Sequence, residues 1–262
     1  MTDKILRIYE EINTFVMTVY LRNTDGILKN KLNEFLEKRE INPSTAKLFN
    51  LGISSNTDQI VSGIKSFRDE DKRDIWLSLA LIMGIIKAGA NGLEDSYKDR
   101  IIFPIINKSG VVLGFSTRKM CAKSSGPNYM NSPESVILTK SNILYGEDLV
   151  LNENSVHESL IIVEGVTDVI RMFECGYTNV LGLLGVSLSD GNIKSILAKS
   201  KLVFMALDND EAGRIGSEKI AKRLIERGCV VKQVELSPYK DPDDFLTTLS
   251  KEEFDKRMTL IE

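Results

Sequence analysis

The chain has 262 residues, of which 42% are hydrophobic and 27% charged, and its formal net charge is −3. These values are ordinary for a soluble globular protein with one large or two modest domains, and they argue against a protein coated in positive charge. No apolar run reaches the roughly 18 residues that span a bilayer, and the N-terminus lacks a signal-peptide pattern.

Cysteine usage restricts the chemistry further. The three cysteines, Cys121, Cys175 and Cys229, lie far apart and form no C-x-x-C pair. This argues against a zinc ribbon and against a disulfide framework, so we expect no zinc in the protein. A reducing cytoplasm is the simplest setting for such a chain.

The first predicted domain, residues 1–95, is mostly helical, because its apolar residues recur at helical spacing. Pro43 marks a helix start. A charged loop is expected over 67–72, followed by an apolar helix over 76–86 and a turn over 89–92.

The second predicted domain, residues 96–155, changes to strand and loop. Apolar runs over 101–106 and 111–115 flank Asn107-Lys108-Ser109-Gly110, which predicts a hairpin. The Gly-, Pro- and Asn-rich stretch over 124–133 predicts an irregular loop. Charges between residues 101 and 145 are mainly basic, namely Lys108, Arg118, Lys119, Lys123 and Lys140 against Glu134.

The third predicted domain, residues 156–262, alternates strands and helices. Strands are expected at 160–163, 180–184, 202–207 and 230–236, with helices near 167–175, 190–199 and 213–227. Short buried strands separated by helices are typical of a compact, mainly parallel α/β unit.

Carboxylates follow three of these four strands, where the strands leave the sheet. Because ligands of parallel α/β sheets bind at the carboxyl ends of the strands, the acids are expected to gather in one place. Gathered carboxylates repel one another unless a cation neutralises them, and all-oxygen ligands suit Mg²⁺ or Mn²⁺. The acids are Glu164 after the first strand, Asp208 and Asp210 after the third, and Asp241 and Asp243 after the fourth.

Each motif also has a purely structural interpretation. Glu164-Gly165 alone is typical of a solvent-facing glutamate in a loop, and Asp208-Asn209-Asp210 is typical of an Asx-rich turn. The basic residues can be a solvated face unrelated to the acids. The three acidic elements in this order within one α/β unit are nevertheless hard to ascribe to chance.

The combined acidic motifs resemble the Toprim domain of bacterial DnaG-type primases, topoisomerases and some nucleases. The segments 100–105, 114–118, 126–134 and 140–146 look like the basic strip of DnaG-type primases, which other Toprim proteins lack. The resemblance extends from about residue 8 to 258. It implies an α/β fold, with a Toprim unit of mainly parallel sheet preceded by a mixed α+β N-terminal subdomain.

The resemblance also implies roles for individual residues. The metal and catalytic acids fall on the five carboxylates above, and Asp168 is a supporting catalytic acid. Contacts with template or nucleotide fall on Arg118, Tyr129, Asn131 and Lys140. Where the family has Pro-Lys-Tyr, this chain has Pro127-Asn128-Tyr129, and Lys123 is a candidate to replace the missing basic contact. Lys29, Lys31, Lys38 and Arg39 are expected to solvate a helix face, with a nucleotide contact as the alternative for Arg39.

The leading hypothesis is a DNA primase that makes short RNA primers from NTPs on single-stranded DNA, with two or more Mg²⁺ or Mn²⁺ ions. The general base stays open between Glu164, Asp168 and a hydroxide. We expect a zinc module, a closing helical bundle and a helicase-binding domain to be absent, and therefore a minimal, phage-sized cytoplasmic primase that needs a helicase or a zinc-bearing subunit. The alternatives are a Toprim nuclease and a non-catalytic replication protein.

Overall fold

The computed structural model describes residues 3–26, 28–120, 126–151, 155–185 and 187–259. The chain forms two compact units. The first comprises residues 1–105 and 111–139, and the second comprises residues 106–110 and 140–262. The domain limits expected from the sequence stay a prediction.

The first unit begins with helices and continues with short strands. Its helices are α1 (Asp3–Arg22), α2 (Lys29–Lys38), α3 (Pro43–Leu48), α4 (Gln59–Lys65) and α5 (Glu70–Ile82). Its strands are β1 (Gly52–Ile53), β2 (Ile86–Gly89), β3 (Gly92–Asp95), β4 (Arg100–Ile106), β5 (Val112–Lys119) and β6 (Tyr129–Asn131).

The helices and a sheet of the first unit share one core. The sheet has the order β1-β4-β5-β6, and β2 pairs with β3 in a separate antiparallel hairpin. Ile12 and Val16 of α1 pack with Trp76 of α5 and with Ile102 and Phe115 of the sheet. Trp76 is a core residue, as its place in an apolar helix predicts.

Both boundaries of α5 differ from the sequence-based prediction. α5 already begins at Glu70, because the Asp69 side chain accepts a hydrogen bond from the Lys72 backbone N–H at 2.9 Å and caps the helix. The helix ends at Ile82, because Gly84 adopts the left-handed conformation with φ +66°. Residues 86–89 then form a strand, so the expected helix to residue 86 was too long.

The second unit contains the alternating strands and helices. Its strands are β7 (Leu144–Tyr145), β8 (Leu160–Val163), β9 (Val180–Leu183), β10 (Leu202–Ala206) and β11 (Val230–Gln233). Its helices are α6 (Glu147–Val150), α7 (Val166–Glu174), α8 (Asp190–Lys199), α9 (Glu211–Ile225), α10 (Pro242–Thr248) and α11 (Lys251–Thr259).

These strands form one sheet in the order β11-β10-β8-β9-β7. β8, β9, β10 and β11 are parallel to their neighbours in this group, and only β7 runs antiparallel, beside β9. Ile162, Leu181 and Met205 lie in a core with Ile193 of α8 and Ile220 of α9. The mainly parallel α/β unit is therefore confirmed. Among the described helices, none has the length and apolar character needed to cross a bilayer.

Candidate active site

The first two acidic motifs leave the five-stranded sheet at the same edge. Val163 and Ala206 stand opposite each other at the carboxyl ends of the parallel strands β8 and β10. Glu164 follows Val163 directly, and Asp208 lies two residues beyond Ala206. The register of the two strands thus brings both carboxylates to one end of the sheet.

Glu164 has one carboxylate oxygen without a hydrogen-bond partner at this edge, among the described residues. The residue is partly buried, and the oxygen is Oε2. Burial raises the pKa of the Glu164 carboxyl, and the negative charges of Asp208 and Asp210 raise it further. A carboxylate in such surroundings either takes up a proton or is stabilised by a cation.

Asp168 holds two loops of the site together. Its Oδ2 accepts a hydrogen bond from the Gly165 N–H at 2.9 Å, and its Oδ1 accepts one from the Asp243 N–H at 3.2 Å. A Cβ atom at Gly165 would crowd the Asp168 carboxylate, so glycine permits this close contact. Burial is the main cause that raises the pKa of Asp168 well above its ordinary value, and the negative charges of Asp241 and Asp208 raise it further. Since both oxygens accept backbone N–H groups, the side chain fixes local geometry.

Asp210 and Asp241 each cap the N-terminus of a helix, α9 and α10 respectively. Asp210 Oδ1 accepts a hydrogen bond from the Gly213 N–H at 2.8 Å, and Asp241 Oδ1 accepts one from the Asp244 N–H at 2.8 Å. A side chain at Gly213 would collide with the Asp208 carbonyl, so this glycine allows α9 to start directly against the acidic loop. Capping uses one oxygen of each carboxylate, and the other oxygen of Asp241 lies 3.1 Å from Lys240 Nζ.

Lys240 lies between the second and third acidic motifs. Its Nζ atom is 3.1 Å from Asp241 Oδ2 and 3.6 Å from Asp208 Oδ2. The Lys240 side chain is 69% exposed, whereas both carboxylates are 19% exposed. The hydrogen bond with Asp241 is the main cause that raises the pKa of Lys240. Lys240 was not among the predicted site residues, although it stands directly before Asp241 in the sequence.

Asp243 contacts a different cation. Arg171 Nε of α7 donates to Asp243 Oδ1 at 3.0 Å, and both side chains are largely buried. The Asp243 carboxylate therefore points toward α7. Sequence reasoning also missed Arg171, which lies three residues after Asp168 on the same helix.

By chemical type, the carboxylates suit a hard divalent cation. Their arrangement in this structure suits one less well. Within the described residues, no three His, Cys, Asp or Glu side chains are arranged so that they could hold one ion. Asp210 and Asp241 each cap a helix, and Asp243 pairs with Arg171. The buried Glu164 oxygen without a partner, and the ammonium between Asp208 and Asp241, both indicate a place that favours positive charge.

The first unit carries a cavity of about 530 Å³ whose charged lining consists of four basic and two acidic side chains. Arg118 lies opposite Tyr129 in the β5–β6 pair, and its guanidinium is 5.5 Å from the Tyr129 ring and 5.6 Å from the Phe35 ring. Arginine and aromatic side chains close to one another offer planar groups on which a base can stack. The basic residues lining the cavity are Lys31, Lys38, Arg118 and Lys119. Lys31 and Lys38, expected only to solvate α2, thus share a cavity with Arg118.

The other predicted contacts are distributed over both units. Asn131 lies on β6 opposite Ser116, in the same strand pair as Arg118. Lys140 begins a short 3-10 turn in the second unit. Lys123 lies outside the described residues, so its expected replacement of a basic contact stays a prediction.

Arg100 supports the loop that leads into Tyr129. This arginine is 2% exposed, and its guanidinium donates to the Pro127 carbonyl at 2.8 Å and to the Asn128 carbonyl at 3.4 Å. Burial lowers the pKa of Arg100. In the sequence, Arg100 stands out only as part of the segment 100–105. A basic residue in such a segment predicts a contact with nucleic acid before it predicts a structural role.

Comparison with known families decides the relationship. Residues 19–150 match the family described as DNA primase catalytic core, N-terminal domain, and residues 161–246 match the family described as Toprim-like. The chain belongs to the DnaG-type primase catalytic core family. The family expected from the sequence is confirmed, and so is the fold class.

Relatives of this primase-family chain are longer than the chain itself. It is 30% identical to a DNA primase of Clostridium acetobutylicum over 262 residues, which covers 99% of this chain and 41% of that protein. It is 30% identical to a DNA primase of Aquifex aeolicus over 232 residues, covering 87% of this chain and 45% of that protein. The chain thus spans less than half the length of these two relatives.

Solved structures agree with the fold. A chain described as the DnaG primase catalytic domain bound to ssDNA superposes with a TM-score of 0.87 at 24% identity, covering 99% of this chain and 83% of that one. The Aquifex aeolicus primase with its zinc-binding and RNA polymerase domains gives a TM-score of 0.81 at 26% identity, covering 97% of this chain and 61% of that one.

Proposed function

We propose that this primase-family chain is a DNA-directed RNA polymerase that makes short RNA primers from NTPs on single-stranded DNA. The observation that carries the proposal is the group of acids at the adjacent ends of β8 and β10, in a chain that matches both parts of the primase core. We place this activity in DNA replication in a bacterial cytoplasm. An origin in a phage stays a prediction.

We propose that two or more Mg²⁺ or Mn²⁺ ions are held by carboxylates of the second unit. Bound there, such ions supply charge that activates the primer 3′-hydroxyl and stabilises the transferring phosphoryl group and the leaving pyrophosphate. The ligands proposed are Glu164, Asp208, Asp210 and Asp241.

The two acids considered as general base differ in their surroundings. Asp168 already accepts two backbone hydrogen bonds, so we assign it the positioning of the Glu164-Gly165 loop. Glu164 has a raised pKa and one oxygen without a partner among the described residues. One Glu164 oxygen is open to a proton, whereas both Asp168 oxygens already accept hydrogen bonds, so Glu164 is the better candidate of the two.

Template and nucleotide binding are assigned to the basic residues. Arg118 and Tyr129 offer a cation and an aromatic face, which are the groups that retain single-stranded DNA without reading its sequence. Asn131 extends the same strand pair, and Lys140 is assigned to the phosphates of the nucleotide or template.

The test is primer synthesis by the purified chain on single-stranded DNA with all four NTPs and Mg²⁺ or Mn²⁺. Asp208→Asn and Glu164→Gln preserve volume and remove a charged ligand, so each is expected to lower the rate by at least about 100-fold. Glu211→Gln is the matched control, because Glu211 is exposed at the start of α9 beside Asp210. Its rate is expected to stay near that of the wild type.

Product analysis separates this function from its rivals. Primer synthesis yields RNA that grows with the NTPs supplied, whereas a Toprim nuclease would shorten the DNA and ignore them. Equal rates for Asp208→Asn and wild type would contradict the catalytic assignment of the acids. A chain that binds DNA but gives neither product would support a non-catalytic replication protein.

A further inference from the structure

Arg171 is a buried cation at the acidic edge of the second unit. Only 6% of the residue is exposed, and its Nε atom lies 3.0 Å from Asp243 Oδ1. The two side chains are 7% and 15% exposed. Charged side chains are rarely buried this deeply unless they are paired, so the Arg171–Asp243 pair is a fixed part of the fold.

Asp243 is held from its backbone as well as from its side chain. Its N–H donates to Asp168 Oδ1 at 3.2 Å, while its carboxylate accepts from Arg171. Asp168 and Arg171 both belong to α7, and Asp243 lies in the first turn of α10. The third acidic motif is therefore attached to α7, the helix that directly follows Glu164.

We propose that Arg171 takes the place of a metal ion at Asp243, so that Asp243 positions the site and Asp241 alone supplies the third motif's metal ligand. The inference rests on the metal-dependent function proposed above. A divalent ion at Asp243 would have to share the carboxylate with a guanidinium that has little access to water. Two cations on one largely buried carboxylate repel each other, and breaking the buried pair would leave an uncompensated charge.

Lys240 shows the contrast within the same cluster. It also pairs with acids, at 3.1 Å and 3.6 Å, but its side chain is 69% exposed. An exposed ammonium on a flexible stem can move into water when a divalent ion arrives, because exposed ion pairs are weak. Of these two cations, only Arg171 is held in place.

Mn²⁺ binding tests the proposal without relying on primer synthesis. Isothermal titration with Mn²⁺ alone is compared for wild type, Asp241→Asn, Asp243→Asn, Arg171→Gln and the double variant Arg171→Gln/Asp243→Asn. Wild type and Asp243→Asn are expected to bind the same number of ions with similar affinity. Asp241→Asn is expected to bind at least about 10-fold more weakly, which is the scale for losing a metal-site group.

Arg171→Gln tests the positioning role proposed for Asp243. Removing the guanidinium frees Asp243 to coordinate, so Mn²⁺ affinity is expected to rise by about 10-fold. The double variant is expected to return to wild-type affinity, because no carboxylate is left to be freed. A residue with a merely structural role would not give this reversal. Thermal unfolding identifies variants that fail to fold. The double variant has no unpaired buried charge, so it keeps the test decisive if Arg171→Gln fails to fold.

The outcomes separate the inference from the function it rests on. Loss of a bound ion in Asp243→Asn, or equal affinity of Arg171→Gln and wild type, overturns the role given to Arg171 and leaves the proposed polymerase intact. A wild-type chain that binds no Mn²⁺ overturns both. The expected pattern supports a primase-type centre in which a guanidinium permanently neutralises one of the acids.

Discussion

Lys240 acts as a tethered cation for the acidic group when no divalent ion is bound. Its ammonium lies within 3.6 Å of Asp208 and Asp241, where a divalent ion would be expected to bind. An arriving ion therefore has to displace it. Because the pair is exposed, we expect this competition to be modest.

Lys240→Gln is accordingly expected to strengthen Mn²⁺ binding by about twofold to fivefold, the equivalent of roughly 0.5–1 kcal/mol for an exposed ion pair. Isothermal titration measures the change. Lys251→Gln is the matched control, since Lys251 pairs with Asp255 on α11 and is expected to bind like the wild type. Weaker binding in Lys240→Gln would mean that the lysine supports the ion-bound site.

Arg118 is expected to contribute both charge and stacking to single-strand binding. Its guanidinium lies within 5.6 Å of the centroids of the Phe35 and Tyr129 rings, and Arg118 lines the cavity of the first unit. Arg118→Ala should weaken binding and lower the slope of log affinity against log salt by roughly 0.7, the value for one phosphate contact with a single strand. Fluorescence anisotropy with a labelled oligonucleotide over a salt series measures both effects.

Lys29→Ala is the control for this measurement, because Lys29 is an exposed lysine of α2 that does not line the cavity. It is expected to leave affinity and salt slope unchanged. If Arg118→Ala and Lys29→Ala gave the same result, the basic residues would be a solvated face and the placement of the template would be wrong.

The sequence was sufficient to select the acids but not their partners. Glu164 and Asp208 follow apolar runs at strand ends, a pattern that can be read directly. Arg171 and Lys240 carry no such pattern, since their roles depend on the direction of a side chain after two distant segments have packed. Charge pairing across the fold is therefore where sequence reasoning was incomplete.

Elements with strong periodic patterns were predicted well, and short ones were not. β8 and β10 were expected within one residue of their ends, because a buried strand between helices is a clear signal. The hairpin of β2 and β3 was missed, because the apolar pattern of α5 continues past Gly84 into residues 85–86. β1 and β7 contain two residues each, and their formation depends on a neighbouring strand.

The short helix α6 supplies a test of stability against pH. Burial raises the pKa of Asp148, in its first turn, to about 6. A carboxyl with a raised pKa binds its proton more tightly in the folded state, so its contribution is fully present below pH ~4 and is lost as pH rises through about 6. Wild-type stability is therefore expected to fall across this window.

Asp148→Asn removes this titration and is expected to be about 1–2 kcal/mol more stable than wild type at pH 7, after allowance for solvent screening. Urea unfolding at pH 4, 5, 6 and 7 measures the difference, which should vanish near pH 4. Asp71→Asn, at an exposed first-turn acid of α5, is the control and should follow the wild-type curve. A constant difference at every pH would contradict the role of burial.

At the scale of the whole molecule, the chain has few groups with which to retain a single strand. Its net charge is −3, and the resemblance described above places Asn128 where a lysine is expected. The 262 residues contain no C-x-x-C pair, which argues against a zinc ribbon within them. Affinity for template is therefore expected to be low and to fall quickly with salt.

We predict that this chain alone makes primers slowly and with little sequence preference, and that a separate partner stimulates it strongly. A replicative helicase or a zinc-bearing subunit that binds both chain and template would raise the local template concentration, which can increase apparent affinity by roughly 10²–10⁴ without a new contact in the active site. The measurement is primer synthesis at physiological salt while the helicase or the zinc-bearing subunit of the same replication system is titrated, with and without single-strand-binding protein. Asp208→Asn with saturating partner is the control, because stimulation has to act through the acids of this chain. Robust, trinucleotide-specific synthesis by the isolated chain would show that no such dependence exists.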